Sequence, residues 1–294
     1  MSIASRSGVG VKLATVARAA VVAFAIALLP QGVWSALMRV NLRLNPRIPW
    51  AVAAMGLLLW LMWRYLGGAF PPRRTAASRR RYLRATRVSP NVLTWSLLAG
   101  GFSLVALSGF WIVFASLIRL PGSVLPSMTG VPEFVVVAAV VAGAAVSPLC
   151  EQAGIFGYGQ VMLRREFSRR GAIVLSALIF AIGPHPPFGV ALVPKIIFFF
   201  LVGLTFSIAA DLTGSILPGL VVHAVGLLMF FLVIWPRDPS RTLVATAGVD
   251  AWFMLHAAQA AVFTFLAVMT FRHLERMPEG SRQLAVEYPT PVGA

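Results

Sequence analysis

Long apolar segments alternate with short polar, glycine-rich or proline-rich borders along most of the chain. Since one helical crossing of the hydrocarbon core needs about 20 apolar residues, each long segment is a candidate membrane helix. Proline and glycine mark the borders, where a helix must end. We therefore predict an all-α fold, a polytopic transmembrane helical bundle of about eight helices, at approximately 16–38, 50–70, 92–118, 134–162, 172–183, 190–210, 216–234 and 251–271.

These segments predict one transmembrane helical domain over residues 1–276, because no internal repeat divides the chain. Residues 277–294 are polar, contain Pro289 and Pro291, and lack apolar periodicity. We predict that this last stretch is a disordered cytoplasmic tail.

The composition supports lipid as the solvent of the fold. Of the 294 residues, 59% are hydrophobic and only 12% are charged, and the mean hydropathy is +0.84. This is more apolar surface than one soluble core can bury, so the predicted partner is the lipid bilayer. Cys150 is the only cysteine, which excludes an intrachain disulfide, and we expect it to pack in the core rather than to act as a nucleophile.

The net charge of +16 comes almost entirely from arginine. The positions of the arginines along the chain indicate their role. The arginines cluster between apolar segments, chiefly within 73–87 and 164–170. Short cytoplasmic loops of membrane proteins carry this excess of positive charge. We therefore expect an integral plasma-membrane protein with both termini cytoplasmic, and no nucleic-acid partner.

Three ionisable side chains occur where the pattern places them inside the membrane: Glu151, His185 and His223. Counted from the nearest cytoplasmic boundary at 1.5 Å per residue, they lie roughly 20, 22 and 14 Å deep. Because charge at this depth is costly, such residues indicate a functional site. A carboxylate can act as general base, and imidazoles can orient water, donate to an oxyanion or bind a metal such as zinc.

The same residues carry a resemblance to a known family, the CAAX prenyl endopeptidase and bacteriocin-processing membrane proteases. Its first motif, two glutamates followed by an arginine, resembles the segment from Glu151 to Phe156. Its second, a phenylalanine before a histidine, resembles Phe180 to His185. Its third, a histidine before an asparagine, resembles His223 to Leu227, preceded by a lead-in typical of the family, 213–218.

This resemblance covers about residues 130–235 and implies a mechanism. Glu151 and His185 would activate a water molecule that attacks a peptide bond, and His223 would stabilise the oxyanion. The substrate would be a membrane-delivered peptide or protein. The family has been described both with and without a metal, so a zinc ion held by Glu151, His185 and His223 is an alternative.

Four features differ from the family pattern: Gln152 replaces the second glutamate, Phe156 the arginine and Leu227 the asparagine, and His185 comes one residue late relative to Phe180. These changes favour an alternative, a catalytically inactive relative that acts as a membrane scaffold or binds a partner. A third class, a transporter that relays protons through Glu151 and the histidines, is opposed by the lack of repeats and by the motif order.

Overall fold

A computed structural model describes residues 8–118, 130–183 and 192–278 of the chain. Throughout these ranges the secondary structure is helical, without a strand, which confirms the all-α prediction. Each of the eight predicted segments contains a helix, and two short helices lie in the connections. The helices are α1 Val9–Leu44, α2 Trp50–Leu66, α3 Ala76–Leu83, α4 Pro90–Leu117, α5 Glu133–Leu163, α6 Arg169–Ala181, α7 Leu192–Thr213, α8 Leu217–Met229, α9 Val244–Ala247 and α10 Ala251–Arg276.

Six helices within the described ranges are long and apolar enough to cross a membrane: α1, α4, α5, α7, α8 with its extension to Arg237, and α10. Helix α2 is apolar but shorter, with 17 residues, and α6 has 13. Apolar side chains on the outside are exposed to a degree that water would penalise, for example Val21 at 68% and Phe265 at 63%. Together these features define an integral membrane protein.

Helices α1 and α5 approach each other closely because their contact surfaces are made of small residues. Ala19, Ala23 and Ala27 follow one another at four-residue spacing on one face of α1, and all three are at most 1% exposed. This face packs against α5 where Gly154 and Gly159 lie. Without a hydrophobic force between helices in lipid, such close backbone approach is a main source of association.

The contact on α5 is also unusual in its backbone geometry. The helix is α-helical from Glu133 to Glu151 and then widens into a π-helical segment, Gln152–Gly159. A π-helical turn contains more residues than an α-helical turn, so the side chains that follow it point in different directions. The glycines of this segment lie directly against α1 and against the end of α3, because a Cβ at Gly157 would lie 2.7 Å from the Leu83 carbonyl oxygen.

The arginine-rich segments meet at one end of the bundle. Arg169 forms an ion pair with Asp211 and places its Nη1 2.6 Å from Glu275 Oε1, which joins α6, α7 and α10. The guanidinium of Arg165 lies over the ring of Tyr82, 5.2 Å from its centroid. The loops that the charge pattern assigned to one side of the membrane are therefore neighbours in space.

The close contact of α1 with α5 makes a stability prediction. Gly154→Ala would place a methyl group on the backbone oxygen of Ala23, so the two helices must separate. We expect the free energy of unfolding to fall by about 1 to 3 kcal/mol, measured by thermal unfolding in detergent. The matched control on the same helix is Gly143→Ala, whose new methyl meets only Trp34 Nε1 at 3.8 Å. Equal melting midpoints for the two variants would contradict the role given to this contact.

Candidate functional site

Glu151 is the last residue of the α-helical part of α5, immediately before the π-helical segment. Its side chain is 15% exposed. The carboxylate oxygen Oε1 accepts a hydrogen bond from Gln31 Nε2 of α1 at 3.2 Å and a second one from the hydroxyl of Ser147 one turn earlier. Two neutral donors thus hold one oxygen of a carboxylate that lies within a membrane helix.

His223 approaches the other oxygen of the same carboxylate from α8. Its Nε2 lies 3.9 Å from Glu151 Oε2, which is beyond hydrogen-bond length but within the range of a strong electrostatic contact. The imidazole is buried, with 6% exposed. It is stacked on Phe206, with the ring centroids 4.6 Å apart, and meets the edge of Phe180 at 5.9 Å.

Two of the three predicted site residues, Glu151 and His223, are therefore adjacent. The third, His185, lies outside the described residues. In the described part of the chain no three histidine, cysteine, aspartate or glutamate side chains form a metal-binding group. Glu151 and His223 are side chains of the kinds that bind zinc.

A narrow cleft opens beside Glu151, between α1, α5 and the end of α6. The space inside it that a water molecule can occupy is about 20 Å³. Among the described side chains on its wall, only those of Gln31 and Glu151 are polar, and His223 lies behind Glu151 rather than on the wall. The lining consists of Phe24, Ala27, Leu28, Gln31, Glu151, Ile155, Phe180 and Gly183.

Gln31 is the site residue that sequence reasoning missed. It follows Pro30 inside a helix of 36 residues, and it continues the buried face of Ala19, Ala23 and Ala27 by one further turn. A polar side chain beside a proline in an apolar helix is a detectable signal, because it must find a partner in the membrane. Glutamine carries no charge, so Gln31 does not stand out among the ionisable residues of the sequence.

The two motif departures on α5 lie away from the cleft. Gln152 is fully buried and its amide lies against α8, where a Cβ at Gly219 would be 2.6 Å from Gln152 Oε1. Phe156 is also fully buried and packs among aromatic rings, 5.5 Å from Phe180 and 5.8 Å from Phe206 between centroids. Neither side chain contributes to the wall beside Glu151.

Below the site, a buried polar network joins the loop after α3 to three helices. Gln160 donates to the Ser207 carbonyl and hydroxyl oxygens at 2.9 and 2.7 Å, and accepts from Arg84 Nη1 at 2.8 Å. The Ser207 hydroxyl in turn lies 2.7 Å from that of Ser176. Burial lowers the pKa of the Arg84 guanidinium to about 10, so it is still charged at neutral pH.

Fold and site together define a polytopic membrane protein that places a glutamate and a histidine side by side within the bundle. Residues 133–229 match the model of the family described as type II CAAX prenyl endopeptidase Rce1-like. The match spans α5 to the end of α8, the region that contains Glu151 and His223, and confirms the resemblance found in the motifs. No curated protein and no solved structure matches the chain.

The two buried glutamines of α5 provide a matched pair for a stability test. Gln160 has a partner for each amide atom, whereas among the described residues Gln152 has none. We expect Gln160→Met to lower the free energy of unfolding by about 2 to 4 kcal/mol, because it removes the hydrogen bonds that Gln160 makes with Arg84 and Ser207. Gln152→Met should leave it unchanged or raise it.

Thermal unfolding in detergent compares the two variants directly, since the substitution is the same and both positions are fully buried. A larger loss for Gln152→Met than for Gln160→Met would contradict this assignment of the polar network.

Proposed function

We propose that the protein is an intramembrane endopeptidase of the CAAX protease type, with Glu151 as the general base. The observation that carries this proposal is the pairing of Glu151, which lies at the wall of a cleft, with His223, both within the segment that matches the prenyl endopeptidase family. Its substrate is a membrane-delivered peptide or protein, which reaches the cleft within or at the surface of the bilayer.

In the proposed reaction, Glu151 takes one proton from a water molecule as the water oxygen bonds to the carbonyl carbon of the scissile peptide. The electrons of the carbonyl double bond move to its oxygen, which becomes the oxyanion. On collapse, the carbon–nitrogen bond breaks, and the proton held by Glu151 passes to the leaving nitrogen. The products are a carboxylic acid and an amine, so atoms and protons balance.

The histidines support Glu151 in this scheme. His223, 3.9 Å from the second carboxylate oxygen, stabilises the charge that moves between Glu151 and the oxyanion. His185 orients the water, a role taken from the resemblance alone, since it lies outside the described residues. The variant mechanism uses Glu151, His185 and His223 as zinc ligands, and metal analysis of the purified protein distinguishes the two.

The second candidate is a catalytically inactive relative that acts as a membrane scaffold or partner-binding protein. One observation favours it: Phe156, at the position of the family arginine, is buried in an aromatic cluster with Phe180 and Phe206. Apolar packing in place of a buried charge stabilises the fold without serving chemistry. In that case Glu151 is a structural hydrogen-bond partner of Gln31 and Ser147.

We further propose a location and topology for the chain. The transmembrane domain covers residues 1–276 and lies in the plasma membrane, with both termini and the tail 277–294 in the cytoplasm. The contacts of Arg169 with Asp211 and Glu275 support a common side for the arginine-rich segments. Reporter fusions at each terminus test this topology, and a signal from outside the cell at either terminus contradicts it.

Cleavage of a defined probe tests the peptidase directly. The family name suggests peptides that end in a prenylated cysteine followed by two aliphatic residues and a variable one. We expect purified protein in liposomes to cleave such a quenched fluorescent peptide. Glu151→Gln should reduce the rate at least about 100-fold, because the base is lost, and His185→Ala should cause a comparable loss.

Two matched variants serve as controls for this experiment. Glu133→Gln removes an exposed carboxylate from the same helix, and Cys150→Ala removes a fully buried thiol that packs against Met55 and Val146. Both should cleave the probe like the unmodified protein. Full activity of Glu151→Gln and His185→Ala would eliminate the mechanism. An unmodified protein that cleaves no probe, prenylated or not, and a Glu151→Gln variant that only melts earlier would favour the scaffold.

A further inference from the structure

We propose that Gln31 is a catalytic residue of this site: one amide hydrogen holds Glu151 and the other is the donor that stabilises the oxyanion. This inference rests on the proposed peptidase function and extends it to a helix outside the matched segment 133–229. It identifies a polar group that the three motifs do not contain.

The hydrogen bond to Glu151 fixes the orientation of the Gln31 amide. Gln31 Nε2 lies 3.2 Å from Glu151 Oε1, and this bond uses one of the two hydrogens on the nitrogen. Both side chains line the cleft. A peptide carbonyl attacked by water next to Glu151 must therefore lie close to the same amide nitrogen, whose second hydrogen is available to its oxygen.

The rest of the described wall offers no comparable donor. Its other side chains are apolar: Phe24, Ala27, Leu28, Ile155 and Phe180. His223 contacts the far oxygen of Glu151 from behind, and the amide of Gln152 lies against α8 beside Gly219. In the part of the cleft that the structure describes, Gln31 is thus the neutral donor nearest to the carboxylate.

Gln31 also provides the chemical group that the third motif lacks. Leu227, one helical turn after His223 on α8, has an apolar side chain where the family pattern has asparagine. An asparagine and a glutamine supply the same amide donor. Gln31 supplies this amide from α1 instead of α8, so an apolar side chain at Leu227 does not leave the oxyanion without a donor.

Helix α1 has the features needed to hold this donor in place. The buried alanines at 19, 23 and 27 bring its backbone against α5, and Gln31 is the next residue of the same four-residue series. Pro30 removes one backbone hydrogen bond from the preceding turn. The position of Gln31 is therefore set by the packing of the alanine face of α1 on α5, as preorganised catalysis requires.

The test uses Gln31→Met, which keeps the length and volume of the side chain but removes the amide. With the prenylated probe in liposomes, we expect kcat to fall about 100- to 1,000-fold, the effect of losing one oxyanion donor, while KM changes less than about twofold. Ser147→Ala is the matched comparison, since it removes the other donor to Glu151 Oε1 from a residue that does not line the cleft. It should reduce kcat by a smaller factor.

A second substitution distinguishes a catalytic from a purely structural role. Adding Leu227→Asn to Gln31→Met returns an amide at the family position, so we expect it to recover at least tenfold of the lost kcat. A structural link between α1 and α5 would not be restored by a substitution on α8. If Gln31→Met does not fold, Gln31→Leu, which also removes the amide, replaces it with the same expected results.

The outcomes separate this inference from the proposed function. An unmodified protein that cleaves no probe removes both. An active protein whose Gln31→Met variant retains its kcat removes only the role of Gln31. A parallel fall of kcat and melting midpoint, without recovery by Leu227→Asn, makes Gln31 an interhelical anchor and also overturns the inference.

Discussion

The close packing of α1 on α5 is the constraint on which the site depends. Lipid provides no hydrophobic force that would draw two apolar helices together, so their association relies on contacts between small surfaces. Ala23 lies against Gly154, and this contact sets both the distance and the register of the two helices. Gln31 lies two turns after Ala23 on α1, and Glu151 lies one residue before the π-helical segment of α5. The Gln31 amide nitrogen and the Glu151 carboxylate are then 3.2 Å apart.

The same contact explains how a carboxylate can be tolerated at this depth. An isolated charge within the hydrocarbon region costs several kcal/mol, and the cost falls when polar groups surround it. Glu151 has Gln31 and Ser147 on one oxygen and His223 beside the other. None of these side chains carries a permanent charge. The net charge of the site therefore depends on whether His223 and Glu151 hold protons. It does not depend on an arginine, because Phe156 occupies the position of the family arginine.

The hydrophobic pattern predicted the order of the main helices, because each long apolar segment forms one. In the part of the chain that the structure describes, six of the eight predicted segments form helices that are long enough to cross a membrane. Predicted bounds of 50–70 and 251–271 compare with Trp50–Leu66 and Ala251–Arg276. The depth estimate also placed Glu151 and His223 in one layer, since the rise per residue along a helix is nearly constant. The distance between Glu151 and His223 within that layer could not be predicted, because it depends on how α5 packs on α8.

Other features could not be derived from spacing alone. The π-helical segment Gln152–Gly159 changes the direction of every later side chain on α5. Its glycines do not predict it from the sequence, because glycines also occur where two ordinary α-helices pack closely. Gln31 lies 120 residues from Glu151 in the chain, so only the register of α1 against α5 relates them. The position of His185 gives no comparison, because it lies outside the described residues.

The geometry also shows which of the differences from the family motifs lie close to the cleft. Residues 151 and 152 are separated by about 100° around the helix axis, so they face different neighbours. A glutamate at 152 would meet Gly219 on α8 and not the cleft, and an arginine at 156 would enter the cluster of Phe180 and Phe206. Both departures therefore alter packing around the site. In the proposed mechanism, only Leu227 affects the chemistry directly, because it lacks an amide donor, and Gln31 offers the same group to the cleft from α1. In the proposed peptidase, hydrolysis depends on that one donor and on the pair it holds, more than on how completely the motifs are kept.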